Sequence, residues 1–383
     1  MSKDQADQLP VSLYVHFPWC VRKCPYCDFN SHPVTNPIPE AEYLQCLLQD
    51  WEQQRPLLGD RKLISVFFGG GTPSLFQPAS FHQLIEAFRP SFAAEIELTM
   101  EANPGSLESG ELAEYRQAGV NRLSLGVQSF NDRALANLGR IHSADDAHRA
   151  IAAARAGGFD NLNIDLMHGL PGQETQEAQA DIRAAIRLGV DHISYYQLTI
   201  EPRTEFAQRP PVLPDDDKLA VIEDTGLALL ADAGFERYEI SAYARPNHRC
   251  IHNQNYWSFG DYLGIGAGAH GKISRGCGSQ RSITRTTHPR QPRLYMNPQN
   301  IAAGPATQLV APTEQAAEFM MNALRLIDGV PSSLFEQRTG VSMASINDPL
   351  KKWRDLGLMQ PDHLGLTAKG LLALDTITAD FLA

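Results

Sequence analysis

Six short runs of β-branched and apolar residues recur along the N-terminal half of the chain, alternating with segments of helical spacing, and this alternation restricts the chain to few architectures. The runs are Ser12–Phe17, Leu63–Gly70, Glu95–Asn103, Arg122–Ser129, Leu162–Gly169 and His192–Ile200. Between them, Tyr43, Leu44, Leu47, Leu48 and Trp51 repeat at the period of an amphipathic helix, and Leu107–Ala118 and Glu174–Leu188 do the same. Repeats of this kind build parallel sheets with right-handed crossovers. Six of them predict an α/β fold based on a partial, open (β/α)6 barrel rather than a closed eight-stranded one. The loops after the strands then gather on one face, where chemistry belongs.

Beyond residue 234 the pattern changes. Residues 235–312 are rich in Gly, Pro, Arg and aromatic side chains and offer strands at Glu236–Tyr243 and Tyr262–Gly266, which predicts a β extension of the barrel. From Thr313 onward the pattern is helix Glu314–Leu326, helix Ser332–Thr339, helix Met343–Leu356, two short strands around Gln360–Gly365 and helix Thr367–Phe381, the order of a winged helix. The expected organisation is an N-terminal tail (1–11), a barrel (12–234), a β-rich extension (235–312) and a C-terminal winged-helix-like domain (313–383).

Charge narrows the partners. The formal net charge is -11, and residues 313–383 hold nine acidic against six basic side chains, so nucleic acid is not an expected partner, since phosphate binding needs an excess of Lys and Arg. No stretch approaches the roughly 18 apolar residues of a membrane span, and the N-terminus lacks the apolar core of a signal peptide. A cytoplasmic location is expected. The six cysteines of a chain this large are then thiols rather than a disulfide framework.

Three of those thiols form the strongest motif, Cys20-x-x-x-Cys24-x-x-Cys27, in the loop after the first strand. Three thiolates leave one iron of a [4Fe–4S] cluster without a protein ligand and open to a small molecule. Zinc is the alternative, with His16 or His32 as a fourth ligand, although structural zinc sites usually pair two short Cys or His spacings. Cys46, Cys250 and Cys277 are isolated and expected to be structural.

The stretch Tyr14-Val-His16-Phe-Pro-Trp-Cys20, followed by CVRKCPYC, resembles the radical S-adenosylmethionine (SAM) superfamily, in the branch that contains anaerobic coproporphyrinogen III oxidase and the HemW haem chaperones. The resemblance spans essentially the whole chain. It implies a [4Fe–4S] cluster whose open iron binds the amino and carboxylate groups of SAM, and an electron donor for that cluster, whose electron splits the sulfonium to a 5′-deoxyadenosyl radical. It also implies roles for particular residues. Tyr14, Gly70 and Glu101 correspond to contacts with the cluster-bound SAM, and Tyr26, Gly71, Thr72, Gln128, Arg140 and Asp165 to the surroundings of a second SAM described in the oxidase.

The residues have readings of their own. Gly69-Gly70-Gly71-Thr72-Pro73 follows the second strand, where missing side chains let a ligand approach the backbone; it lacks the lysine of a P-loop. Glu101 ends the third strand and offers a carboxylate to a ribose or amine. Asp165 lies within an apolar strand, a costly place unless it faces a polar cavity. Gly266-Ala-Gly268-Ala-His270-Gly271 matches G-x-G-x-x-G, but no helix follows it, so a tight bend at the barrel mouth is expected in place of a dinucleotide site.

His252-Asn-Gln-Asn-Tyr256-Trp257 places an imidazole, a phenol and an indole in one segment read as irregular, suited to a haem iron and a porphyrin face, or else to packing of the extension. The resemblance to the HNxxYW pattern of the haem chaperones points to haem, with His252 as iron ligand. The oxidase carries a further cysteine two residues after its third cluster cysteine, where this chain has Phe29, and a longer N-terminal extension, where eleven residues precede the first strand here. Both differences favour a haem chaperone that delivers haem to haem-requiring respiratory proteins. A SAM-dependent porphyrinogen enzyme is the alternative, and a zinc-binding interaction protein a distant third.

Overall fold

A computed structural model describes residues 9–106 and 109–382. Most of the expected tail, the first two residues of Leu107–Ala118, and Ala383 lie outside the described residues. Six parallel strands, β1 (Val11–Phe17), β2 (Leu63–Gly70), β3 (Phe92–Ala102), β4 (Arg122–Gln128), β5 (Leu162–His168) and β6 (His192–Gln197), stand side by side in chain order. Each is followed by a helix: α1 (Glu40–Gln54), α2 (Pro78–Phe88), α3 (Ser109–Ala118), α4 (Ala144–Ala156), α5 (Thr175–Arg187) and α6 (Asp216–Asp232). This is an open (β/α)6 half-barrel, and the sheet does not close on itself.

Alternation along the strands sets which face is which. Val11, Leu13 and Val15 of β1, Val66 and Phe68 of β2, Leu98 and Met100 of β3, Leu123, Leu125 and Val127 of β4, and Leu162, Ile164 and Leu166 of β5 share one buried core. Residues between them point the other way, as the two-residue period requires. They are Ser12, Tyr14 and His16; Ser65 and Phe67; Glu97, Thr99 and Glu101; Arg122, Ser124 and Gln128; Asn163 and Asp165. Each buried aliphatic side chain contributes about 1.5–3 kcal/mol, so a one-residue slip that turned the row inward would be very costly. The barrel interior is therefore polar.

The extension joins the half-barrel at both edges. Beside β6, the stretch expected as one strand, Glu236–Tyr243, is instead an antiparallel pair, β7 (Glu236–Glu239) and β8 (Ala242–Ala244). Arg237 makes the turn between them by donating from Nε (3.1 Å) and Nη2 (2.6 Å) to the carbonyl of Ile240. Beside β1, strand β9 (Asp261–Ile265) pairs in parallel, and β10 (His270–Arg275), β11 (Ser282–Thr287) and β12 (Ala306–Leu309) continue antiparallel. The twelve-stranded order is β12-β11-β10-β9-β1-β2-β3-β4-β5-β6-β8-β7. The expected bend at Gly266–Gly271 is present, with Gly266 and Gly268 at positive φ.

The segment read as irregular is a short helix, α7 (Ile251–Trp257). Seven residues do not hold a helix alone in water. Glu97, on the inner face of β3, supplies what is missing: its carboxylate accepts from the N–H groups of Ile251 (2.9 Å) and His252 (3.0 Å). Asn255 ties the other side of the helix, donating to Ser12 Oγ and to the Asp261 carbonyl, both at 2.9 Å. The helix thereby rests on the polar inner face of the strands.

The C-terminal helices are α8 (Pro312–Ala323), α9 (Ser333–Thr339), α10 (Asn347–Asp355), α11 (Ala368–Leu371) and α12 (Leu374–Ala379), with Val330–Pro331 paired antiparallel to His363–Leu364. The last helix, expected as one piece over Thr367–Phe381, is two. Phe259 and Ile283 of the extension share a second core with Phe319, Phe335, Trp353 and Ile377. We expect Glu97→Ala to lower the stability of the protein by ~1–3 kcal/mol, because two part-buried N–H groups in the first turn of the helix lose their acceptor. Glu97→Gln should recover part of the loss, since its amide oxygen still accepts; urea unfolding followed by circular dichroism measures both.

Candidate cofactor site

The loop after β1 folds back on itself, Trp19–Cys20 pairing with His32–Pro33, and Cys20, Cys24 and Cys27 lie within it. Polar contacts fix the loop from several sides. Lys23 Nζ donates to the carbonyls of Phe29 (2.9 Å) and Ser31 (3.3 Å). Asn30 Nδ2 donates to the carbonyls of Ala267 and Arg290, each at 2.9 Å. His16 Nε2 lies 2.9 Å from the Asn30 carbonyl, which only accepts, so Nε2 carries the proton and Nδ1 accepts from the Tyr14 hydroxyl at 2.9 Å. Burial holds His16 neutral, lowering its pKa to about 4. Tyr14 thus orients the histidine that anchors the cysteine loop, and it stands behind the cavity wall rather than in it.

The three thiols line one cavity of about 600 Å³. Each is half-buried and each has a polar neighbour: Thr72 Oγ1 donates to Cys20 Sγ (3.4 Å), Arg140 Nη1 to Cys24 Sγ (3.6 Å), and Cys27 Sγ lies 3.7 Å from Ser31 Oγ. Burial raises the pKa of Cys20 and Cys27, so bare thiolates there call for a cationic partner. Among the described residues no three His, Cys, Asp or Glu side chains stand close enough to share one metal ion. Three thiols lining one cavity fit a multi-iron cluster, whose irons take separate ligands.

Most of the residues singled out in the sequence meet in this cavity: Tyr26, Gly70, Gly71, Thr72, Glu101, Gln128, Arg140 and Asp165 all line it. The glycines have a local reason beyond ligand access. A Cβ on Gly71 would come within 2.5 Å of the Trp19 carbonyl, and Gly71 N and Thr72 N both donate at 2.7 Å to the chain leaving β1, at Phe17 and Trp19. Glu101 Oε2 accepts from Gly70 N at 3.0 Å, while burial and the neighbouring Asp165 raise its pKa to about 7. Gln128 sits at a bulge in β4 with φ 69°, a strained conformation for a residue with a side chain, and its Oε1 accepts from the Tyr196 hydroxyl at 2.9 Å. Asp165 accepts from Asn163 Nδ2 at 2.9 Å.

Several lining residues carried no signal when read in sequence. Ser194 and Tyr196 lie on the inner face of β6, which strand alternation alone could have revealed. Glu239, Ser241 and Arg325 come from the β7–β8 turn region and the chain after α8. Arg325 lies over the Trp257 ring, 4.4 Å from its centroid, and pairs with Glu239 at 3.4 Å. No local pattern predicts that meeting.

His252 lies beneath the cavity rather than in its lining, although Asn253 and Trp257 of the same helix do line it. Its ring is half-buried against Phe67 (centroids 5.0 Å apart) and Tyr14 (6.4 Å). Nδ1 lies 3.1 Å from Ser65 Oγ, whose hydroxyl donates to Ser12 Oγ at 2.7 Å. Burial and the Arg122 charge lower its pKa to about 3, so the ring is neutral.

Residues 14–185 match the Radical SAM superfamily model and residues 310–373 the HemN C-terminal domain model. The chain is 45% identical over 378 residues to the "Heme chaperone HemW" of Escherichia coli K12, covering 98% of both chains. The chain belongs to the HemW family of radical SAM proteins. It is also 35% identical to the bovine mitochondrial "Radical S-adenosyl methionine domain-containing protein 1", covering 97% of this chain and 87% of that one. Among solved structures, E. coli coproporphyrinogen III oxidase (HemN), a radical SAM enzyme, superposes with a TM-score of 0.80 at 26% identity, over 98% of this chain and 90% of that one. A [4Fe–4S] cluster and SAM are the cofactors that this fold family implies, and the thiols and polar wall described above fit them.

Cys20→Ala, Cys24→Ala and Cys27→Ala should each abolish iron and sulfide binding after anaerobic reconstitution, whereas Cys46→Ala and Cys277→Ala should keep both; iron and sulfide analysis checks this. His16 predicts a pH effect as well. Its folded pKa is depressed from the unfolded 6.5 to about 4, so the stability it contributes is complete above about 6.5 and is lost as the pH falls through about 4. His16→Gln should flatten that part of the urea-midpoint profile.

Proposed function

We propose that this chain is a haem chaperone, which binds haem beside a cavity holding a SAM-ligated [4Fe–4S] cluster and passes it to haem-requiring respiratory proteins in the cytoplasm. Similarity to haem chaperones over nearly the whole chain, 45% identical to that of E. coli, combined with a cavity lined by the three thiols, carries this reading. Residues 12–234 would hold the cluster and SAM, residues 235–312 would present the HNxxYW segment, and residues 313–383 would cover the cavity and meet partners. An electron donor for the cluster is a further expected partner. No helix among the described residues is long and apolar enough to cross a membrane.

Within the cavity each group has a task. The cluster, when bound, supplies an open iron for the amino and carboxylate groups of SAM. Glu101, about half ionised near neutral pH, would accept from a ligand amine or ribose hydroxyl, and an amine's positive charge would favour its carboxylate form. Gly70 would meet the same SAM through its backbone, and Tyr14 would keep His16 and the cysteine loop in place. Tyr26, Gly71, Thr72, Gln128, Arg140 and Asp165 would form the wall around a second nucleoside-sized ligand. Tyr26 and the strained Gln128 are held by Phe206 and Tyr196 respectively.

His252 remains the proposed haem ligand, and its hydrogen bonding supports this. If Nδ1–H donates to Ser65 while Ser65 donates to Ser12, the bare nitrogen is Nε2, which has no hydrogen-bond partner among the described residues. A ligand histidine whose second nitrogen is oriented in this way is the usual arrangement at metal sites. Trp257, at the cavity, and the exposed Tyr256 would cover porphyrin surface.

Haem titration tests the reading: the wild type should bind near stoichiometrically with a Soret band, and a folded His252→Ala should shift the band and weaken affinity. An unchanged spectrum and affinity would remove His252 as the ligand, and absence of haem binding by the wild type would remove the chaperone reading. Phe29, exposed beside Cys27 where the oxidase carries a cysteine, predicts no conversion of coproporphyrinogen III to protoporphyrinogen IX with SAM under reducing anaerobic conditions. Glu101→Ala should weaken SAM binding roughly tenfold or more, the loss of one charged hydrogen bond.

A further inference from the structure

Two arginines are buried close together, away from the cavity, without an ion-pair partner among the described residues. Arg281, between the turn Gly278–Gln280 and β11, is 9% exposed, and Arg338, in the last turn of α9, is 8% exposed. The end of α9 brings them together. Gly340, left-handed at φ 73°, packs so tightly on the 278–281 turn that a Cβ there would lie 2.8 Å from Arg281 Cβ. Arg281 Nε and Arg338 Nε and Nη1 are all buried without a hydrogen-bond partner. Neither guanidinium has an ion-pair partner among the described residues.

The carboxylate that could answer them is fully engaged. Asp261 is the acidic group that acts on Arg338. Its Oδ1 accepts from Lys272 Nζ (2.9 Å) and Ser274 Oγ (2.8 Å), and its Oδ2 from Arg61 Nη1 (2.6 Å) and Ser274 N (2.9 Å). Lys272 is itself buried and faces Arg338 with a like charge. Arg61 and Lys272 therefore already occupy the carboxylate that acts on Arg338, and Arg281 adds a like charge beside it. An uncompensated buried charge is strongly unfavourable, and orphaned buried donors in a native protein point to a missing ion or water.

We propose that Arg281 and Arg338 bind a small oxyanion of the phosphate type, which joins the sheet extension to the C-terminal helices. The site lies at the C-terminal end of α9, where the helix dipole favours cations, so the guanidinium forks and not the helix would hold the anion. Two planar forks with free N–H groups match an ion that offers several acceptor oxygens. The burial of both side chains keeps out a lipid headgroup or phosphoprotein, which leaves a free ion as the ligand to test.

The experiment uses the full chain purified anaerobically in phosphate-free and sulfate-free buffer. Inorganic phosphate is titrated at constant ionic strength, with chloride as the reference, and the thermal midpoint and the heat of binding are followed. The wild type should show saturable binding and a midpoint rise of a few degrees that chloride does not give. Arg281→Met and Arg338→Met should lose both, and without phosphate they should be at least as stable as the wild type, because a buried repulsion is removed. Arg338→Lys retains the charge without the fork and should bind phosphate at least tenfold more weakly, a check that stands if the methionine variants fail to fold. Absence of a phosphate-specific effect in the wild type, or an effect undiminished in the variants, would overturn the site.

Discussion

The interior of the half-barrel is polar because its strands spend their apolar residues on the opposite face. Val, Leu, Ile and Phe at every second position pack outward against α1 to α6, and what is left to face inward, apart from Tyr14 and Phe67, is Ser, Thr, His, Glu, Gln, Arg, Asn and Asp. Such a surface cannot be closed with aliphatic side chains. Buried polar groups need partners, so the interior must be filled by a network, by a plug, or by ligands. The chain uses all three at different depths.

At the floor a network satisfies itself. His192 lies between Asn163 Oδ1 (2.5 Å) and the Tyr238 hydroxyl (2.8 Å), and its pKa falls well below the ordinary value because burial and the Arg122 charge disfavour the imidazolium. Above it, α7 is the plug, capped by Glu97 and tied to Ser12 by Asn255. At the top the polar wall stays open, and the cysteine loop closes over it. The loop's position depends on the same inner face through the chain Tyr14, His16 and Asn30. One alternating pattern thus sets the core outside, the plug below and the cofactor chamber above.

Much of this was legible in the sequence where it depends on neighbouring residues. The six strands were found within a few residues of their bounds because β-branched runs and their punctuation are local. The cysteine motif and most cavity residues were found because they follow those strands. What escaped depends on distance along the chain. Glu236–Tyr243 has strand-forming composition throughout, and only the Arg237 clamp on the Ile240 carbonyl shows that it turns. His252–Trp257 gave no helical signal because its cap comes from Glu97, over 150 positions earlier. Arg325 reaches the cavity by packing on Trp257, and β9 pairs with β1 across most of the chain. Tyr14 was matched to SAM by resemblance, while its alternation partner His16 accounts for where its hydroxyl points.

Cys20, Cys24 and Cys27 would together hold a cluster with one iron left open to a ligand from this chamber. Electron paramagnetic resonance of the dithionite-reduced, reconstituted protein, recorded with and without SAM, tests it most directly. A [4Fe–4S]+ signal should appear whose g-values shift on adding SAM to the wild type and shift far less in Glu101→Ala. A cluster signal indifferent to SAM in the wild type would mean a closed fourth coordination site and would contradict it.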